Sequence, residues 1–73
     1  MYTRRLQKAT HIRKFTIIST GAAGWEVRDE QDSCILRWVR YRDWHRVERA
    51  AAIFRLQVAD LIERGWELRR VTP

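Results

Sequence analysis

The chain has little of what usually staples a small protein together. Its one cysteine, Cys34, has no internal partner, so no disulfide can cross-link the fold. Its two histidines, His11 and His45, share no ligand spacing with each other or with Cys34, which argues against a structural metal site. No apolar run approaches the roughly 20 residues of a membrane span. The basic N-terminus lacks the apolar stretch of a secretory signal. With the sparse cysteine, these absences point to a cytoplasmic protein without a membrane partner.

Catalytic patterns are missing as well. Neither a P-loop nor a dinucleotide-binding glycine pattern occurs, and Gly21 and Gly24 fit a turn instead. Cys34 lies in a strand-like run without an adjacent base and reads as a small hydrophobe. Asp29, Glu30 and Asp32 cluster around a hairpin turn, where carboxylates are ordinarily solvated. The expectation is a non-enzymatic protein with no cofactor, no metal and no small-molecule substrate.

What remains is arginine, tryptophan and a clear order of elements. In 73 residues the net charge is +6. Residues 1–14 hold Arg4, Arg5, Lys8, Arg13 and Lys14 and no acid. Residues 1–10 therefore read as a basic, flexible arm, and 11–73 as a single domain. Thr3 offers a cap for a short helix over Arg4–Ala9, though a helix that short is marginal alone. A chain of this size has a thin core. Four tryptophans or self-association are the available compensations.

From residue 11 the order is α+β. The run 11–20 is β-branched and aromatic, Trp25–Glu30 alternates, and Cys34–Arg42 is again strand-like. Turns at 21–24 and 31–33 join them into a three-stranded antiparallel meander. Asp43 then caps one long helix, 44–64, whose stripe is Val47, Ala51, Phe54, Val58, Leu61 and Ile62, with Ala50 at its edge. Gly65 stops the helix, and 66–71 supplies a short fourth strand. The core Gly-Trp-Glu-aliphatic-Arg occurs at Gly24–Arg28 and Gly65–Arg69, one local solution used twice. A helix of this length spans about 32 Å and covers one face of the meander (β-β-β-α).

The sheet faces carry the functional expectation. A turn centred on Gln31–Asp32 pairs Trp25 with Trp38, Val27 with Leu36, Asp29 with Cys34 and Glu26 with Arg37. A first turn centred on Ala22–Ala23 joins Ile18 to Val27 and Thr20 to Trp25. The face with Ile18, Trp25, Val27, Leu36 and Trp38 then packs under the helix. The opposite face holds Phe15, Ile17, Ile35, Val39 and Tyr41 among Arg13, Arg28 and Arg37, and is apolar enough to need a cover. Either the N-terminal segment or another chain covers it, or it binds something. Two binding readings follow. In the first, the arm (Arg4, Arg5, Lys8) and the sheet residues Arg13, Phe15, Arg28, Arg37 and Tyr41 contact nucleic acid by charge and stacking. In the second, the face docks a partner protein or a second copy. On the helix, Arg42, Arg46 and Arg49 line one side of the first turns, with Asp43 and Glu48 near enough to offset them. Ile53 and Leu56 point away from the core stripe, as scattered surface residues or as a dimer seam.

Overall fold

The computed structural model describes residues 2–70. In chain order these form β1 (Tyr2–Lys8), β2 (His11–Ser19), β3 (Trp25–Gln31), β4 (Cys34–Tyr41), α1 (Trp44–Glu63) and β5 (Glu67–Arg69). The fold is α+β: an antiparallel meander of four strands, one long helix packed on it, and a short fifth strand. The sheet order is β4-β3-β2-β1-β5. The expected meander is present, with one strand more in front of it. The strand expected over 66–71 is β5, and Val71 lies outside the described residues.

The basic arm is that additional strand. Instead of a flexible segment or a helix over Arg4–Ala9, residues Tyr2–Lys8 pair with β2 from Tyr2↔Ile17 to Lys8↔His11. On its other side β1 pairs with β5, Leu6 opposite Leu68. Leu6 is 0% exposed. Alternation explains how a charged run can do this: Tyr2 and Leu6 point to the helix while Thr3, Arg5 and Gln7 point away. Lys8, at the strand end, donates its Nζ to the Arg64 carbonyl at 2.8 Å. That places a cation on the negative end of α1.

The core is one layer deep. Leu6, Phe15, Ile17 and Val27 from the sheet meet Val47, Ala50, Phe54 and Val58 from the helix. Phe15 and Phe54 pack ring to ring with centroids 4.9 Å apart, and Tyr2 stacks on the other side of Phe54 at 6.3 Å. Ala51 and Leu61 are partly buried, whereas Ile62 of the expected stripe is exposed.

Both helix ends match the sequence reading. The Asp43 carboxylate accepts from the His45 N–H at 3.0 Å. At the other end Gly65 takes a φ of 98°. Its N–H donates to the Ile62 carbonyl at 3.1 Å and the Trp66 N–H to the Leu61 carbonyl at 3.0 Å, the two bonds of a Schellman cap. Gly24 has nearly the same φ, 99°. Each glycine therefore turns the chain in the left-handed region, and the tryptophan after it, Trp25 or Trp66, packs against the core. Gly24 has a second constraint: a Cβ there would lie 2.3 Å from the Tyr41 carbonyl oxygen. The glycine lets the end of β4 pass close by just before it turns into the helix.

The register differs from the expected one at both hairpins, and the faces change with it. Ser19 pairs with Trp25 and Ile17 with Val27, one step from the expected Ile18–Val27 pairing. At the second hairpin the turn is Asp32–Ser33, both at positive φ, as a tight two-residue turn between right-twisted strands requires. Between Asp29 and Glu30 the β3–β4 register shifts, leaving Leu36 as the extra residue of a bulge. Beyond it Asp29 faces Arg37, Val27 faces Val39 and Trp25 faces Tyr41. An odd shift moves a whole strand's side chains to the other face. Phe15, Ile17, Val39 and Tyr41 therefore share the helix side with Trp25 and Val27, while Ile18 and Trp38 lie outside.

Candidate binding surface

The expected apolar outer face is instead an ion-pair lattice. Glu26, Arg28 and Glu30 of β3 lie there opposite Arg40, Trp38 and Ile35 of β4. The Arg28 guanidinium bonds Glu26 and reaches Glu30 at 3.5 Å. Its CZ lies 5.3 Å from the centre of the Trp38 ring. The hydrogen bond to Glu26, with the charges of both acids, holds the Arg28 pKa above its ordinary value against the effect of desolvation. Arg40 approaches Glu26 from β4 at 3.9 Å. The β3–β4 part of this face thus pairs its arginines with carboxylates.

The residues expected to form a binding face are dispersed. Phe15 is fully buried beneath Phe54, so its ring is not available for stacking. Arg13 is locked to Asp29 by two bonds of 3.0 and 2.9 Å and lies over the Phe15 ring at 5.1 Å. Arg28 belongs to the outer lattice. Arg4, Arg5 and Lys8 lie exposed on β1, separated from β4 by two intervening strands, with Arg4 over the Tyr2 ring at 4.7 Å. On the surface Arg37 and Tyr41 stay together, Arg37 donating to the Tyr41 hydroxyl oxygen at 3.0 Å.

Around that pair lies a surface of unpaired strand edge and unpaired arginines. β4 is a sheet edge, paired only with β3 among the described strands, so every second backbone N–H and C=O along it lacks a strand partner. Ile35, Leu36 and Trp38 on this edge are 52%, 55% and 56% exposed. On the helix side a groove of about 260 Å³ separates β4 from α1, lined by Arg37, Tyr41, Arg46, Arg49, Ala50 and Ile53. The helical members follow the spacing of one face. No acid lines the groove. The two acids expected to offset these arginines are engaged elsewhere: Asp43 caps the helix, and Glu48 accepts from the Trp44 indole at 2.7 Å. Among the described residues, no carboxylate lies within ion-pair distance of Arg37, Arg46 or Arg49. Residue type alone marks Arg46 and Arg49 on the helix and Arg37 and Tyr41 on the sheet. The register was needed to bring them to one groove.

A larger cavity, about 570 Å³, opens beside the helix N-terminus between Tyr2, Trp25 and Trp44. Its rings pack on each other, Trp25 and Trp44 at 5.2 Å, and the Trp44 N–H is taken by Glu48. These contacts extend the core. Among the described residues no group of three or more His, Cys, Asp or Glu side chains could hold a metal ion, and no helix is long and apolar enough to cross a membrane. No family model, no curated protein and no solved structure matches the chain.

Proposed function

We propose that the protein is a non-enzymatic interaction module that accepts an extended, acidic segment of a partner protein as an added strand along β4. The observation that carries this reading is the open β4 edge, where Ile35, Leu36 and Trp38 are exposed and Arg37 has no carboxylate within ion-pair distance among the described residues. Strand addition supplies affinity through main-chain bonds and specificity through alternate side chains. Charge selects the occupant. A second copy pairing edge to edge would bring the arginines of one β4 near those of the other, and like charges opposite each other are destabilising. A segment that alternates acids with aliphatic residues would set its acids toward Arg37 on the helix side and its aliphatic residues toward Ile35 and Trp38 on the outer side. Nucleic acid would draw on the same arginines, but it would leave Ile35 and Leu36 uncovered and the edge backbone unpaired.

The test is hydrogen exchange on the full chain with a synthetic octapeptide alternating Glu and Val. Protection of β4 amides, with β2 and β5 unchanged, is the expected result. The same peptide with Lys in place of Glu should give none. Absence of protection at millimolar peptide and low salt would remove the reading. Dimerisation through β4 in sedimentation and exchange would replace it with self-association.

A further inference from the structure

We infer that the groove between β4 and α1 is an oxyanion pocket that takes a phosphoryl group carried by the segment paired along β4; this rests on the strand-accepting reading. Three guanidinium groups, Arg37, Arg46 and Arg49, converge on one groove without a carboxylate in its lining. Each is a planar fork of donors suited to phosphate geometry. Arg37 donates to the Tyr41 oxygen, which leaves the Tyr41 hydroxyl hydrogen free to donate as a fourth group. Ala50 is buried at the groove wall while Ile53 is 40% exposed, and the bonds from guanidinium to an anion seated there are charge-assisted.

The charge count favours phosphoryl over carboxylate. A phosphate monoester brings about −1.5 to −2 charges and three strong acceptor oxygens. A single carboxylate would leave most of the positive charge of three arginines unmatched. Position supports the same assignment. Arg37 and Tyr41 belong to β4 itself, and their side chains point to the helix side of the strand. A segment added to β4 sends alternate side chains to that side, so a phosphorylated residue on it faces Arg46 and Arg49 across the groove.

The experiment follows the backbone and arginine side-chain NMR signals of the full chain at fixed ionic strength. Inorganic phosphate is titrated first, then the alternating Glu-Val octapeptide, then the same peptide with one phosphoserine. Phosphate should shift Arg37, Tyr41, Arg46 and Arg49 together. Phosphorylation should tighten peptide binding by roughly tenfold for each guanidinium engaged, and Arg46→Gln with Arg49→Gln should abolish that gain while leaving the unmodified peptide bound. Both substituted positions are solvent-exposed, so the fold tolerates them. Phosphate shifts spread over Arg4, Arg5 and Arg69, or a phosphopeptide that binds no tighter than its serine form, would overturn the pocket. If the unmodified octapeptide still protects β4 in that case, the strand-accepting reading survives alone. Phosphate in the groove with neither peptide paired to β4 would overturn that reading and the carrier assigned here. Displacement of the phosphopeptide by oligothymidylate at equal phosphate concentration would reassign the pocket to nucleic acid.

Discussion

Leu6→Ala measures whether the basic N-terminal run is a central strand. The side chain is completely buried on a strand hydrogen-bonded on both sides. Truncating it to alanine removes three carbons, or about 2.4 kcal/mol at roughly 0.8 kcal/mol per buried CH₂ group. The cavity left behind raises the cost to about 3–5 kcal/mol. Native domains hold roughly 0.05–0.15 kcal/mol per residue, so this one substitution removes a large share of what a chain of 73 residues has. Arg5→Ala is the matched control, one position away on the same strand but exposed, and should change stability by no more than about 0.5 kcal/mol. Urea unfolding followed by tryptophan fluorescence reads both. With a slope near 1 kcal/mol/M for a small protein, the Leu6→Ala midpoint should drop by about 3 M or the chain should be unfolded in buffer. A Leu6→Ala protein as stable as Arg5→Ala would show that β1 is not part of the core, and the account of the sheet would fail with it.

Three further substitutions probe the turn, the ion pair and the hairpin. Gly24→Ala should cost more than about 2 kcal/mol, because positive φ alone costs roughly 1–3 kcal/mol and the new methyl meets the Tyr41 carbonyl at 2.3 Å; a wild-type urea midpoint would contradict that close approach. Asp29→Leu should cost about 3 kcal/mol by stranding a half-buried Arg13, whereas Arg13→Met together with Asp29→Leu should recover most of it, as apolar replacement of a buried pair commonly does; equal losses in the single and double variants would refute the pairing. The Asp32 carboxyl is held below its ordinary pKa by its hydrogen bond with His11 and by the Ile12 N–H. A depressed native pKa means stability that is present above the unfolded-state value and lost as pH falls through the native value. The stability difference between wild type and Asp32→Ala should therefore shrink on acidification, and a difference independent of pH would exclude that linkage.

The parts of the fold that were legible in the sequence were those specified locally. The helix carried its period, its Asp43 cap and its Gly65 stop within 23 consecutive residues, and the glycine-tryptophan pairs marked the starts of strands wherever they occurred. β1 was hidden because only Tyr2 and Leu6 among its helix-facing positions are apolar, and Arg4 and Lys8 fill the others. The register was hidden for a different reason. It depends on a one-residue difference in where each turn closes and on the bulge at Leu36, and neither leaves a mark in the residue types. That single ambiguity moved Phe15 and Ile17 from an imagined binding face into the core. It also kept Arg37 and Tyr41 apart from Arg46 and Arg49, which belong to an element the sequence located correctly.

Five arginines are held by carboxylates, and among those that are not, three share one groove. Arg13, Arg28, Arg40, Arg64 and Arg69 each reach a carboxylate in the fold; their charges hold strands and helix end in place and are largely neutralised where they sit. Arg37, Arg46 and Arg49 have no such partner among the described residues and come from two different elements, yet they line one groove. Three like charges held close together oppose folding, by an amount that screening in water limits but does not remove. Stability therefore gives no reason to gather them, and the two acids nearest in sequence are diverted to a helix cap and an indole. An anion bound there would relieve the repulsion. Raising phosphate at constant ionic strength should then stabilise the wild-type fold more than the Arg46→Gln, Arg49→Gln protein. Equal stabilisation of the two proteins would mean that the arginines are grouped for some reason other than binding.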